Sequence, residues 1–357
     1  MSLIRFVTRI HFADRVLEDA LPEELRARRI VAPLILAPAG DPDDEPLARL
    51  LDALPAGGRP HVLTVQDDAA GADALARLRA AWQARAGDAL IGLGGARELD
   101  AARLLGHELA QNGGGCTVVA VPTTPAAVGL GPLARGLGAG PDLCPVPDLL
   151  LCDPTLLQGA GPARLAEGGM NALTRCLEAL LGTAWNPPAD GIAFDGLRRA
   201  GRWLERAARD PADPEALREL LAAAMNGGLA AQKGYGGVHA LSHALEASLG
   251  ARAADGRLQA VLAAPVLRFN APAVPDRMAL AAEALGLASG DQTGQAICDH
   301  LAGIGARIGL VDRLSTLALS GSTLDRAAMV AAADPANRTN PRLATARDYR
   351  QMLEAAL

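Results

Sequence analysis

Up to about residue 155 the chain alternates short apolar runs with helix-like stretches. Apolar residues 30–36 precede an amphipathic segment at 45–54, and 61–65 precede 73–85. Residues 89–93 lead into 98–110, and 116–121 run into a Gly/Pro-rich loop. Strands spaced by helices of this length predict right-handed βαβ units and a parallel sheet, with ligands at the carboxyl ends of the strands. From about Pro162 the strand signal stops. Segments 163–181, 190–208, 214–227, 229–249, 258–269, 278–285, 294–308 and 323–332 all have helical spacing. Asn186-Pro187-Pro188, Asp210-Pro211, Asp213-Pro214 and Asp334-Pro335 punctuate them, since Asn or Asp before Pro ends one helix and starts the next. The pattern predicts an α/β domain over 1–155 and a helical domain over 156–357. A flexible loop is expected over 129–147, and there is no internal repeat.

Composition narrows the class. Half of the 357 residues are hydrophobic but only 3% are aromatic, so the cores are built from Ala, Leu, Val and Ile. A net charge of -6 argues against nucleic acid as a partner, which needs clustered cations. The N-terminus lacks a signal-peptide core, and no apolar run approaches the ~18 residues of a membrane helix. The five cysteines form no CxxC pair and read as reduced thiols. A cytoplasmic protein with no membrane partner is expected.

Ile91-Gly92-Leu93-Gly94-Gly95-Ala96 ends a strand and opens a helix bearing Arg97, Asp100 and Arg103. Small residues there let backbone amides approach a phosphate at the helix N-terminus, although glycine at such a junction is also plain turn chemistry. Thr123 and Thr124 follow the next strand, placed either to hydrogen-bond a nucleotide or to cap a helix.

With these loops, Cys152-Asp153-Pro154, the segment Gly169–Thr174 with Glu178, Asn186-Pro187, His239-Ala240-Leu241-Ser242-His243, Arg268–Pro272 and Asn340-Pro341-Arg342 follow one another in order. In that order the chain resembles the iron-containing alcohol dehydrogenase family, and within it maleylacetate reductases. The resemblance implies a Rossmann-like nucleotide-binding domain, an all-α substrate domain, a cleft between them for NADH or NADPH and a small-molecule substrate, and a homodimer. It assigns Gly94, Gly95, Ala96, Arg97, Asp100, Thr123 and Thr124 to the cofactor.

The chain departs from its metal-dependent relatives, which bind iron or zinc through an aspartate, a histidine four residues on and two later histidines. The matching positions are Asn171, Arg175, His239 and Asp255. An amide is a weak ligand and a guanidinium donates no lone pair, so no catalytic metal is expected. Asn171 is what maleylacetate reductases resemble at that position. Arg175 then either supplies a fixed charge to a substrate carboxylate or oxyanion, or pairs with Asp255. His239 and His243, four apart, share a helix face and suit proton delivery. Asn171, Asp255 and Lys233, the sole lysine, are further substrate-side candidates, Lys233 being read onto the same helix as the histidines or onto its solvated face. The cofactor loop has also drifted: Ala96-Arg97 replace a glycine and a serine, no Gly-Ser-Glu segment follows the threonines, and Phe12-Ala13-Asp14 stand for a Gly-x-Gly. The leading reading is a metal-independent NAD(P)H-dependent reductase of a small carboxylated carbonyl or enone compound. The alternatives are a lyase, isomerase or cyclase reusing the cleft, and a non-catalytic homologue.

Overall fold

The computed structural model describes residues 8–39, 45–65, 72–85, 87–126, 128–131, 145–249, 255–310 and 313–357. Most of the loop expected over 129–147 and the side chain of Asp255 lie outside the described residues. The chain divides into two compact units, the first ending at Ala160 and the second spanning Gly161–Leu357.

In the first unit, β1 (Arg9–Phe12), β2 (Pro33–Pro38), β3 (His61–Val65), β4 (Ala89–Gly94), β5 (Thr117–Pro122) and β6 (Leu149–Cys152) form one sheet in the order β1-β6-β5-β4-β2-β3. All pairs are parallel. α1 (Val16–Arg28), α2 (Glu45–Asp52), α3 (Ala72–Arg85) and α4 (Ala96–Gln111) connect them. Alternation along the strands fills both faces. Ile35, Ile91, Val119 and Leu149 line up in register and pack with Leu17, Leu21 and Leu25 of α1. Leu34, Leu36, Leu90 and Val118 turn the other way, onto Ala101, Leu104 and Leu105 of α4.

β1, α1 and β6 escaped the sequence pattern. α1 carries Pro22 inside it and places the acid Glu24 on its buried face. Arg9 and His11, two apart on β1, and Arg28, one turn along α1, converge on that carboxylate. Burial alone would raise its pKa, but the hydrogen bonds from Arg28, Arg9 and His11 outweigh it and pull Glu24 down to about 2. A carboxyl depressed in the folded state adds stability above its unfolded pKa near 4.5, and that stability drains away as pH falls toward 2. Denaturant titrations between pH 6 and pH 3 are therefore expected to show a loss of about 2 kcal/mol that Glu24→Gln abolishes.

The second unit is helical: α5 (Gly161–Leu181), α6 (Pro187–Arg209), α7 (Pro214–Ala230), α8 (Gly237–Leu249), α9 (Asp255–Asn270), α10 (Pro275–Ala284), α11 (Thr293–Arg307), α12 (Gly321–Ala333), α13 (Pro335–Thr339) and α14 (Ala346–Ala355). α5 is buried around its whole circumference from Gly168 onward and packs against α6, α7 and α9. Asn186, Asp213 and Asp334 each accept a backbone N–H of the following helix while proline takes its first turn. The single helix expected over 229–249 is broken. A short 3-10 turn covers Ala231–Lys233 and α8 starts only at Gly237. The break sits at Gly234, whose φ is +94°, and a Cβ there would lie 2.4 Å from the Thr339 hydroxyl.

Candidate active site

At the carboxyl ends of β4 and β5 the structure brings together Gly94, Gly95, Thr123 and Thr124. The Thr123 N–H donates to the Gly94 carbonyl at 2.9 Å, tying the two strand ends. Gly94 has φ +141°, and buried Thr124 turns its hydroxyl toward Gly95. Ala96 and Arg97 are half-buried in the first turn of α4. The Gly95 N–H, at the helix entry, donates to Oε2 of Glu98 at 2.9 Å. Asp100, expected beside the cofactor, is 3% exposed and lies 2.5 Å from Arg103 one turn along α4. Arg103 in turn donates to the carbonyls of Pro145 and Gly131, so the Asp100–Arg103 pair ties down backbone.

Where relatives carry Gly-x-Gly, the turn after β1 places Arg15 in the left-handed region at φ 58°. Its N–H donates to Asp153 at 3.0 Å, and Thr155 and Arg49 also bond this fully buried carboxylate. The Cys152-Asp153-Pro154 motif thus anchors a turn.

In the helical unit, α5 carries Asn171, Arg175 and Glu178 and α8 carries His239 and His243, all nine-tenths or more buried. Tyr235, which the sequence reading did not single out, links them. The Arg175 guanidinium lies 5.5 Å over the Tyr235 ring, the His239 ring is 4.5 Å from Tyr235, and His243 is 3.8 Å from His239. A guanidinium held over an aromatic face, beside two imidazoles, can pair with an anion and move a proton.

The N-terminus of α8 is held by residues the sequence marked without a role. Glu178 accepts the N–H groups of Val238 at 2.7 Å and His239 at 3.2 Å. Asn340 accepts that of Gly237 at 2.9 Å. Asn340 and Asn270 pair their amides reciprocally at 2.8 Å, and Arg342 stacks 3.9 Å over Phe269. The distant Arg268–Pro272 and Asn340–Arg342 segments therefore meet around the helix that carries the histidines.

Lys233 corrects an expectation. It is on neither the histidine helix nor a solvated face, because the chain breaks after it. Its fully buried side chain donates to Asp190 and to the Leu180 carbonyl, and Arg277 shares both acceptors. Together these cations cap the C-terminus of α5. Burial lowers the Lys233 pKa, Asp190 counters it and Arg277 adds to the lowering.

Two of the four positions matched to metal ligands carry groups that do not suit iron or zinc. Arg175 stands where a histidine ligand would be and has no lone pair to give, and Asn171 offers only an amide. Among the described residues no three of His, Cys, Asp and Glu come together as a metal cluster.

A family model described as "Fe-containing alcohol dehydrogenase family, C-terminal" matches residues 165–357. A 4-hydroxybutyrate dehydrogenase from Cupriavidus necator is 34% identical, with 100% of both chains covered. The chain belongs to the iron-containing alcohol dehydrogenase family. Membership makes it an oxidoreductase of the NAD(P)H-dependent dehydrogenase type. A maleylacetate reductase from Rhizobium sp. is 29% identical over 88% of this chain and 86% of its own. Its crystal structure superposes with a TM-score of 0.80 at 25% identity, covering 99% of this chain and 97% of that one. A 1,3-propanediol oxidoreductase structure gives 0.87 at 21% identity, covering 99% and 100%.

Proposed function

We propose that the protein interconverts a small carboxylate-bearing carbonyl compound and its hydroxy acid with NADH or NADPH, and does so without a metal. The observation that carries this reading is Arg175: a buried cation on α5, at a family metal-ligand position, next to Tyr235, His239 and His243. Two of the relatives have names that denote carboxylate compounds, hydroxybutyrate and maleylacetate, which supports an acid as substrate. An enone acid of the maleylacetate type remains within the same class.

When bound, the reduced nicotinamide supplies a hydride. Arg175 holds the substrate carboxylate or the oxygen on which negative charge develops, doing with a fixed organic cation what a Lewis acid does elsewhere. Asn171, one turn before it on α5, orients the same group. His243 or His239 delivers one proton to the alkoxide, so that carbonyl, hydride and proton balance to an alcohol. This reading assigns Gly94, Gly95, Ala96, Arg97, Thr123 and Thr124 to the cofactor. The reading takes a homodimer as the working unit, on resemblance alone.

The test pairs binding with turnover. NADH and NADPH fluorescence titrations are expected to saturate, and a four-carbon ω-oxo acid is expected to be reduced at an undiminished rate after exhaustive dialysis against a strong chelator. Activity that disappears with the chelator and returns with Fe²⁺ or Zn²⁺ refutes metal independence. An absence of binding by either cofactor refutes the reductase reading.

A further inference from the structure

We propose that Glu98 is an anion of the chain's own seated on the glycine loop, and that it sets how tightly the phosphates of a dinucleotide bind there. The inference rests on the reductase reading for the identity of the ligand, and it deepens that reading by naming the residue that limits cofactor affinity.

Three observations carry it. Oε2 of Glu98 takes the Gly95 N–H at 2.9 Å, so the amide at the helix entry is already bonded to a negative oxygen. The room left by the missing side chain of Gly94 is filled from the same source: a Cβ built there would fall 2.6 Å from Oε2 and 3.0 Å from the Cδ and Cγ of Glu98. The carboxylate is also buried, at 6% exposure, in the first turn of a 16-residue helix, where the positive end of the helix favours it. A glycine-rich strand-to-helix turn normally offers bare backbone and an open positive field to a phosphate. Here Glu98 uses both. A diphosphate arriving at this turn meets a like charge at close range, and it seats only by moving Glu98 or by binding beside it against repulsion.

Two substitutions separate the charge from the cap. Glu98→Gln keeps an oxygen for the Gly95 N–H and removes the negative charge, whereas Glu98→Ala removes both. NADH and NADPH are titrated by fluorescence into the wild-type chain and both variants. Adenosine, which has no phosphate, is titrated by calorimetry, and thermal melts verify folding. Glu98→Ala is expected to bind NADH at least about tenfold more tightly than wild type, with Glu98→Gln in between and adenosine unchanged within about twofold. Binding gained only by the variants also supports the inference, while removing the reductase reading for the native chain. If wild type binds NADH and neither variant gains affinity, or adenosine tightens as much as NADH, the Glu98 inference alone falls. If no form binds either cofactor, both fall.

Discussion

Arg175→Ala is expected to lower kcat/KM for a carboxylated carbonyl substrate by about 10²–10³-fold, the loss typical of removing one fixed group that stabilises developing charge. Arg175→Lys keeps a cation on α5 but gives up the planar fork, so it should recover part of the rate. Separate kcat and KM values divide the two roles assigned to the guanidinium. A loss mainly in KM that vanishes for an aldehyde lacking a carboxylate assigns Arg175 to the substrate acid. A loss in kcat that persists for the uncharged aldehyde assigns it to the reacting oxygen. Wild-type kinetics in both variants would remove Arg175 from the reaction, leaving a buried cation packed on Tyr235 as a purely structural feature.

Glu178→Ala is the second large effect, and it acts on the scaffold. It leaves the buried N–H groups of Val238 and His239 without their carboxylate and takes a negative charge from the N-terminus of α8. Each orphaned buried donor costs about 1–3 kcal/mol, so the variant should lose about 2–6 kcal/mol by chemical denaturation. Glu178→Gln keeps one acceptor and should lose about half as much. Because the His239 amide is itself one of the bonded groups, this contact fixes the start of the helix that carries both imidazoles. Turnover at a temperature where Glu178→Gln is fully folded should therefore fall by more than substrate binding does. Unchanged melting of the alanine variant would show that water replaces the carboxylate at no cost, contrary to the burial of this helix end.

The local alphabet of this fold was legible wherever a rule of sequence acts over a few residues. Short apolar runs marked β2, β3, β4 and β5, because β2, β4 and β5 are buried along most of their length and β3 keeps an apolar edge. Asn or Asp before Pro marked the starts of α6, α7 and α13, because the cap and its proline are neighbours in the chain. β1, β6 and α1 were not legible. The two strands are four residues long, and α1 turns Glu24 inward, which makes sense only once Arg9, His11 and Arg28 are brought to it from the neighbouring strand and helix turn.

For the site, the sequence by itself determined which chemical groups are available: two imidazoles four residues apart, a guanidinium and an amide where metal ligands are expected, and a glycine turn before a helix. Tertiary structure decided what each group does. Lys233 went to a carboxylate and a helix C-terminus because Gly234 turns the chain before the histidine helix begins. Tyr235 entered the cluster by the same turn, and Glu178, Asn270 and Asn340 became the support of that helix. The physical reason is common to all of them: a buried polar group is assigned by whichever partner the fold carries to it, and for Asn340 those partners, Asn270 and Gly237, lie 70 and 103 residues away in the chain.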